Sequence, residues 1–476
     1  MSVTALSFPL SSSAFPFSSP NFKKLKSFKP PNATSQQISL DASPPNENLN
    51  PSQPSNKTGV IVVGAGLAGL AAATRLQAEN IPFLLLEASD AVGGRVRTDF
   101  VDGFTLDRGF QIFITAYPEA RKLLDYDALD LQRFYSGAQV FYGGRFHTVA
   151  DPLRHFTDAL QSLTNPIGTV IDKLLIALTR IRVLSQSDYE LLTANEVKTI
   201  ELLRGIGFSE SILDRCLALG DNTLPKNGIS AIPEQLAAKL NPSSIMLNSR
   251  VVSIDYESEQ GLAVSLESGD LIRSDLGVIL AIEEFEAANI LAGKMVTQAK
   301  SPVRSTVCLY FSVDGDKVPV KDPVLFLNGS GRGIVNNMFF ATNVAPSYAP
   351  PGKALVSVSL IGMYDGVADE DLVERVVKEL LGWFGQAAVE SWRFLRMYRI
   401  GFAQPNQCPP TDLMKDPRVK PGFYVCGDYM TSATFDGALV SGRRAAEALL
   451  KDSATVKQYV EAEATDDFLH SFLRFA

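Results

Sequence analysis

The chain has 476 residues, of which 46% are hydrophobic and 20% charged, a balance typical of a globular protein with a large core. Its net charge of −8 argues against binding to nucleic acid, which requires basic patches. The cysteines and histidines are scattered without the spacing of metal ligands, so we expect reduced thiols and no metal site. These residues are Cys216, Cys308, Cys408, Cys426, His147, His155 and His470.

The first forty residues differ in composition from the rest. They contain ten serines and four lysines but no Asp or Glu, and the first acidic residue is Asp41. A serine-rich, acid-free, basic segment is typical of an organelle transit peptide, and the absence of arginine before Arg75 favours a plastid over a mitochondrion. We predict a transit peptide at residues 1–45 and a chloroplast location, in the stroma or at a membrane surface. A merely disordered N-terminus is the alternative.

Residues 46–57 are rich in Pro, Asn and Ser, which predicts a disordered linker, with order beginning at Gly59. The longest uncharged, mostly apolar run is Gly59–Ala73, and it contains four glycines. A membrane-spanning helix needs about 20 residues, so we predict no transmembrane helix.

A βαβ unit with a glycine-rich turn follows. A β-branched strand runs to Val63 and leads directly into Gly64, Gly66 and Gly69; an alanine-rich helix and a second strand ending at Glu87 come next. Gly64 permits a tight turn, Gly66 lets backbone approach a pyrophosphate, and Gly69 lets the helix pack closely on the strand.

The start of this helix and the acid after the second strand complete a dinucleotide site. Leu67 and Ala68 belong to the first helical turn, whose N–H groups and dipole attract phosphate. Glu87 lies 21 residues after Gly66, where its carboxylate would accept hydrogen bonds from ribose hydroxyls.

Just beyond Glu87, Gly93, Gly94 and Arg95 form a second phosphate-proximal element. Arg95 can neutralise a diphosphate with forked donors. A simple NAD dehydrogenase has no such element at this place, so the pattern favours FAD.

Here the chain resembles a known group, the FAD-dependent superfamily of flavin amine oxidases, protoporphyrinogen oxidase and carotenoid (phytoene) desaturases and isomerases. That family continues with D-G-F-x-x-D-x-G, and this chain has Asp102, Gly103 and Phe104 followed by Asp107 and Gly109. The predicted plastid address would make it a plastid-type member.

The C-terminal part resembles the closing motif of the same family. Gly427 and Asp428 match the Gly-Asp at the end of its last strand, and the resemblance implies that Asp428 bonds the ribityl or pyrophosphate region of FAD. Gly437 and Ala438 match the start of its last helix, whose N–H groups face the flavin. No cysteine is placed like the family's covalent attachment, so the expected FAD is non-covalent.

A softer match lies between these ends. Residues 232–240 and 245–254 resemble the helix and strand that precede the family's adenine contact, so Val252, or its neighbour Val251, would direct backbone groups toward the adenine.

Two positions depart from the flavin amine oxidases. Those enzymes usually place a lysine behind the flavin at a position that falls here near Thr306, and an aromatic cage residue where this chain has Thr434, although Phe435 is adjacent. Both argue against a standard amine oxidase. No catalytic acid or base stands out; Tyr398 and Gln404, with Arg399 between them, could line the flavin face or serve a structural role.

Residues 170–184 have the spacing of an amphipathic helix, with Ile171, Leu174, Leu175, Leu178 and Ile181 on one face. We expect this face to pack against the rest of the protein. A membrane-surface or lipophilic-substrate portal is the alternative, so a peripheral membrane contact stays open.

The predicted fold is α/β. A Rossmann-like FAD-binding domain is expected from the discontinuous segments 58–125, 231–299 and 406–455, and a mixed β-sheet and helical substrate domain from 126–230 and 300–405, with a tail at 456–476.

The predicted function is a FAD-dependent oxidoreductase that transfers hydride to the flavin from a lipophilic, isoprenoid-like or amine small molecule. Three alternatives remain: an amine oxidase with an unusual cage, a flavin-dependent isomerase of a polyene, and a non-catalytic FAD-binding protein. The oligomeric state is not predicted.

Overall fold

The computed structural model describes the following residues: 57–109, 111–150, 154–155, 157–158, 166–186, 199–209, 222–255, 262–290, 303–408 and 412–453. The predicted transit peptide, the C-terminal tail and all but the last residue of the predicted linker lie outside the described residues, as do Cys216 and His470.

The strands within these residues are β1 Lys57–Val63, β2 Phe83–Leu86, β3 Thr98–Val101, β4 Phe104–Asp107, β5 Phe113–Ile114, β6 Leu131–Arg133, β7 Gly137–Tyr142, β8 Arg145–Ala150, β9 Asn222–Pro225, β10 Ile245–Met246, β11 Val251–Asp255, β12 Leu262–Leu266, β13 Leu271–Leu280, β14 Arg304–Asp314, β15 Leu325–Asn328, β16 Val335–Phe340, β17 Lys353–Ile361, β18 Arg393–Gln404, β19 Arg418–Lys420 and β20 Phe423–Val425. The helices are α1 Leu67–Ala78, α2 Pro118–Leu123, α3 Tyr126–Leu129, α4 Val170–Leu184, α5 Thr199–Ile206, α6 Ala231–Ala237, α7 Glu284–Ile290, α8 Ala341–Val344, α9 Asp369–Phe384, α10 Gln386–Val389 and α11 Phe435–Asp452.

The first sheet has the strand order β10-β2-β1-β13-β12-β11, and β20 also pairs with β13. Its centre is parallel: β1 pairs with β2 and β13, and β13 pairs with β20, each in the same direction. The last four residues of β1, Val60–Val63, are all Val or Ile and are buried on both faces, as a central parallel strand requires. Strand β1 begins at Lys57, two residues before the expected Gly59.

Helices α1 and α11 pack together against this sheet. Gly442 of α11 lies so close to α1 that a Cβ atom on it would stand 1.9 Å from the carbonyl oxygen of Ala68. The same apolar cluster contains Leu70 and Leu76 of α1 and Leu439 of α11, all fully buried. The two predicted cofactor-binding ends of the chain are therefore joined by helix packing.

The second sheet has the order β18-β14-β17-β16-β15-β7-β8 and is antiparallel apart from the β15–β7 pair. Helix α9 covers one face with an apolar stripe of Leu372, Val376, Leu380 and Trp383. The two sheets match the expectation of a dinucleotide-binding sheet and a mixed sheet, while the domain boundaries stay a prediction.

The β3–β4 hairpin is joined through a buried carboxylate to the second sheet and to the segment before α6. Asp107 accepts hydrogen bonds from the hydroxyl of Thr98 (2.7 Å), the N–H of Ile229 (2.9 Å) and the hydroxyl of Tyr348 (3.0 Å). Tyr310 of β14 donates to the carbonyl oxygen of Asp107 at 2.7 Å. Burial outweighs these bonds and raises the pKa of Asp107 to about 6.

Candidate functional site

The glycine turn after β1 and the second glycine element lie side by side. The N–H of Gly93 donates to the carbonyl oxygen of Ala65 at 2.8 Å, and Gly66 and Gly93 form a parallel bridge. A Cβ atom on Gly66 would meet no protein atom within 4 Å, and one on Gly94 would meet only the backbone of Gly66. The two elements thus form an open backbone cradle.

The start of α1 faces this cradle without a side-chain cap. Gly66 is the N-cap residue and makes no side-chain cap bond, and Leu67 and Ala68 begin the helix, whose first N–H groups have no partner within it. A Cβ atom on Gly69 would lie 1.8 Å from the carbonyl oxygen of Gly64, so that glycine is required by packing. Gly64 itself has φ of 99°, a backbone conformation that favours glycine.

Glu87 is buried at the end of β2 and holds the turn in place. Its Oε2 accepts the N–H of Ala65 at 2.7 Å, and its Oε1 accepts the N–H and the hydroxyl of Ser89 at 2.9 and 2.7 Å. A carboxylate has about four acceptor sites, so Oε2 keeps capacity for a ribose hydroxyl.

Val252 lies three residues after Ser249, whose N–H donates to the carbonyl oxygen of Glu87 at 2.7 Å. In the pairing of β11 with β12 the register shifts between Val251 and Ser253, so Val252 has no partner residue in that ladder. Its side chain is exposed. The placement suits a backbone contact to an adenine.

Arg95 joins the two motif-bearing ends of the chain. Its Nη2 donates to Oδ1 of the buried Asp428 at 2.7 Å, and its Nη1 donates to the carbonyl oxygen of Ala403 at 3.1 Å. The guanidinium carbon lies 4.9 Å from the centroid of the Phe402 ring. The side chain remains one-third exposed, so its remaining donors stay accessible to a diphosphate.

Glu283 also lies beside Arg95, and it was not predicted from the sequence. Its Oε1 lies 3.8 Å from Nε of Arg95. Burial raises its pKa, Arg95 opposes the rise, and Asp428 and Glu286 add to it. The available signal was its position three residues after a buried strand, because parallel strands end at one sheet edge.

The segment that leads into α11 is tightly built. A Cβ atom on Gly437 would lie 2.0 Å from the carbonyl oxygen of Ser432, which explains that glycine by packing. The N–H of Gly437 donates to the hydroxyl of Thr434 at 2.9 Å, and the N–H of Ala438 donates to the carbonyl oxygen of Thr434 at 3.1 Å. Both N–H groups thus have partners within this turn. The N–H of Gly427 donates to the hydroxyl of Ser441 at 3.0 Å.

The three β18 residues suggested for the flavin face divide into two groups. Arg399 donates to the carbonyl oxygens of Met363, Tyr364 and Val367, a structural role. Tyr398 donates to Asp99 of β3 at 2.8 Å, also a contact within the protein. Gln404 donates to the carbonyl oxygen of Ala433 at 3.3 Å, beside the loop before α11.

The residues present fit a dinucleotide such as FAD. The ends of β1, β2, β13 and β20 bring Gly66, Glu87, Glu283 and Asp428 to one edge of the sheet. The open space at Gly66 and the donors of Arg95 suit a diphosphate, and Glu87 suits a ribose.

Comparison with known proteins identifies the family. The family model for flavin-containing amine oxidoreductases matches residues 67–218 and 210–450, most of the chain. A chloroplastic and chromoplastic 15-cis-phytoene desaturase of an Oncidium hybrid cultivar is 23% identical over 484 residues, covering 85% of this chain and 79% of the relative. Polyamine oxidase 5 of Oryza sativa subsp. japonica is 29% identical over 150 residues, 31% of this chain and 30% of the relative.

Among solved structures, a wild-type putrescine oxidase bound to putrescine superposes with a TM-score of 0.59 at 16% identity, over 83% of this chain and 99% of that one. Cyclohexylamine oxidase from Brevibacterium oxydans superposes with a TM-score of 0.56, also at 16% identity, over the same shares. These likenesses confirm the predicted α/β fold. Because the family model covers more than half of the chain, the chain belongs to the flavin-containing amine oxidoreductases and is a FAD-dependent oxidoreductase.

Proposed function

We propose that this oxidoreductase removes hydride from a carbon atom of a lipophilic, isoprenoid-like small molecule in the plastid. FAD bound in the cradle would supply the hydride acceptor for this reaction. The cradle around Gly66 would hold the diphosphate together with Arg95, and Glu87 would hold the ribose. The substrate would approach from the second sheet, at the β18 end marked by Gln404.

The observation that favours this substrate class is the role of Thr434. The family resemblance would place a ring of the amine cage there, but the hydroxyl of Thr434 instead caps α11. The adjacent Phe435 does not replace that ring, because it packs against Phe113 and Tyr117 with ring centroids 5.9 and 6.5 Å apart. An amine-binding aromatic pair is therefore lacking at this position.

The sequence of strand β14 also argues against an amine substrate. It reads Arg304–Asp314 without a lysine, and the hydroxyl of Thr306, where the family lysine is expected, donates to the carbonyl oxygen of Leu360 at 2.8 Å. The desaturase relative also aligns over most of the chain. An amine remains the second candidate substrate, because polyamine oxidase 5 matches a third of the chain at higher identity.

We further propose that FAD is held non-covalently. Cys426, next to Gly427, is fully buried, and burial raises its pKa to about 12. Cys308 is also buried, with a pKa raised to about 11. Both thiols stay protonated at neutral pH and are weak nucleophiles.

The plastid location and a peripheral membrane contact belong to the same proposal. The serine-rich N-terminus and the chloroplastic name of the desaturase relative support the plastid. Across the described ranges, no helix has the length and apolarity to cross a bilayer. Fusing residues 1–45 to a fluorescent protein tests the plastid location. Import into plastids is expected, and fluorescence in the cytosol or in mitochondria contradicts the proposal.

Anaerobic reduction of the bound flavin tests the substrate class. The purified FAD-loaded chain is mixed with polyenes in detergent micelles or with putrescine and spermidine, and the oxidised-flavin absorbance is followed. Bleaching by a polyene and not by the amines is expected. Bleaching by amines alone makes this an amine oxidase, isomerisation of a polyene without bleaching makes it an isomerase, and the absence of any reaction favours a non-catalytic flavoprotein.

A further inference from the structure

Helix α4 presents an apolar face to solvent. Val170, Ile171, Leu174, Leu178 and Ile181 are 52–68% exposed, although the sequence predicted that most of this face would pack against the protein. Of the predicted face only Leu175 is partly buried. That part of the prediction is wrong, because the helix rests on its other side. A continuous apolar stripe of this kind on a protein surface marks an interaction site.

The opposite side of α4 anchors the helix to the protein. Asp172 is buried and its carboxylate accepts the N–H and hydroxyl of Thr169 at 2.5 and 2.7 Å, and the N–H and hydroxyl of Ser209 at 2.7 and 2.6 Å. Burial raises its pKa, but the bonds from Ser209 and Thr169 outweigh this and lower it to about 2. Leu175 and Ile176 pack against the cluster around Leu203 and Phe208. The exposed face is thus held outward.

The charges beside the apolar face are positive. Asp172, the one acidic residue in the sequence of α4, is turned inward, while Arg182 is exposed and Lys173 is half-buried. On a helix of 3.6 residues per turn, Arg182 falls at one edge of the stripe and Lys173 beyond the other. On the neighbouring α5 both Glu201 and Arg204 are exposed, so the basic edge is formed by α4 alone. This basic border contrasts with the net charge of −8 for the whole chain.

We propose that α4 lies in the surface of an anionic lipid bilayer, with its five exposed apolar side chains among the acyl chains and Arg182 and Lys173 at the headgroups. Apolar stripes with basic edges bind such surfaces in the plane of the membrane. A second copy of the chain fits less well, because a two-fold contact through this face would bring the basic edges together. This contact rests on the peripheral membrane contact of the proposed function and is the same whichever small molecule is oxidised.

Vesicle sedimentation of the FAD-loaded full chain tests this. The probes are phosphatidylcholine vesicles and vesicles of equal parts phosphatidylcholine and phosphatidylglycerol, at low and high salt. We expect sedimentation with the anionic vesicles, weakened by salt, and little with the neutral ones. Leu174→Gln combined with Ile181→Gln should weaken binding at least about tenfold, and Arg182→Glu should weaken it on anionic vesicles.

The matched control is Phe100→Gln combined with Ile361→Gln, because those residues are 72% and 69% exposed and belong to β3 and β17. Flavin content and melting temperature verify that each variant folds. Failure of the wild type to bind either vesicle, or equal loss in the control pair, overturns the proposal. The proposal is also overturned if the wild type is a dimer and the α4 variant is a monomer, because the apolar face would then be an interface between two copies of the chain.

Discussion

Arg95 and Asp428 are separated by 333 positions in the chain and joined by a charge-assisted hydrogen bond of 2.7 Å. One follows the glycine turn at the end of the first βαβ unit, and the other follows the last strand of the same sheet. The proposed cofactor cradle therefore exists only when both ends of the chain are folded together. Flavin binding and assembly of the first sheet should be tightly linked.

Replacing Arg95 by Ala should weaken FAD binding about ten- to hundredfold, because hydrogen bonds to charged groups contribute about 1.5–3 kcal/mol each. It would also leave the buried Asp428 without its partner. Titration of the apoprotein with FAD, followed by fluorescence, measures the effect. Arg418→Ala is the control: Arg418 pairs with Asp452 at 2.7 Å on the surface, and its loss should leave FAD affinity unchanged. Equal effects of the two variants would contradict the assignment.

Gly66 and Gly442 should respond to larger side chains in opposite ways. Gly66→Val should destabilise the apoprotein by only about 1 kcal/mol, because its Cβ atom meets no protein atom within 4 Å and the remaining cost is that of a poorer N-cap residue. It should weaken FAD binding by more than about a hundredfold, since that space is needed for the diphosphate.

Gly442→Ala should instead destabilise the fold by about 3 kcal/mol, because the added carbon meets the backbone of α1. Urea unfolding of both apoproteins separates the two effects. A Gly66→Val protein that binds FAD normally would show that the cradle lies elsewhere.

Glu283 should make FAD affinity depend on pH. Its pKa is raised by burial, and ionisation places a second carboxylate beside Arg95 and Asp428. As the pH rises through that pKa, Glu283 competes with the diphosphate for Arg95, so FAD affinity should fall. Glu283→Gln should flatten this dependence and leave the low-pH affinity unchanged. Titrations across the pH range check it; an unaltered profile in the variant would assign the pH dependence to other groups.

The sequence predicted well wherever the signal was local. The glycine turn, α1, β2 and Glu87 are set by neighbouring residues, and their bounds were right within a few positions. The position of Glu283 beside Arg95 was not predicted from the sequence. It depends on the insertion of β13 between β1 and β20, which pairs segments that are far apart in the chain. Contact between Ala403 and Arg95 depends likewise on how the second sheet meets the first.

Periodicity located the apolar stripe of α4 but could not tell whether the stripe faces protein or solvent. The orientation is fixed by the hydrogen bonds that the carboxylate of Asp172 accepts from Ser209, a residue 37 positions away. Thr434 is a similar case. The sequence showed that it departs from the family pattern, but only the structure shows that its side chain caps a helix.

The buried Asp107 should lower stability as the pH rises from about 4 to about 6. Its folded pKa of about 6 lies above its ordinary value of 3.8, so the folded state binds the proton more tightly and loses stability as the carboxyl ionises. The loss is about 3 kcal/mol at most. Asp107→Asn should remove this slope and still fold, because the hydroxyl of Tyr348 keeps the carbonyl oxygen of Pro225 at 3.2 Å.

Urea unfolding at several pH values, with the exposed Asp316→Asn as control, measures the contribution of Asp107. The control should keep the wild-type slope. A wild-type stability that is flat or rises between about pH 4 and 6, with no change on Asp107→Asn, would show that this carboxyl ionises as freely as an exposed one.

The proposed FAD site lies in the cradle formed by the two ends of the chain. The most direct measurement is the visible absorption spectrum of the purified chain, followed by acid precipitation and identification of the released chromophore. An oxidised-flavin spectrum with FAD in the supernatant is the predicted result. A colourless protein that fails to take up added FAD, or one that releases a different chromophore, would contradict the account.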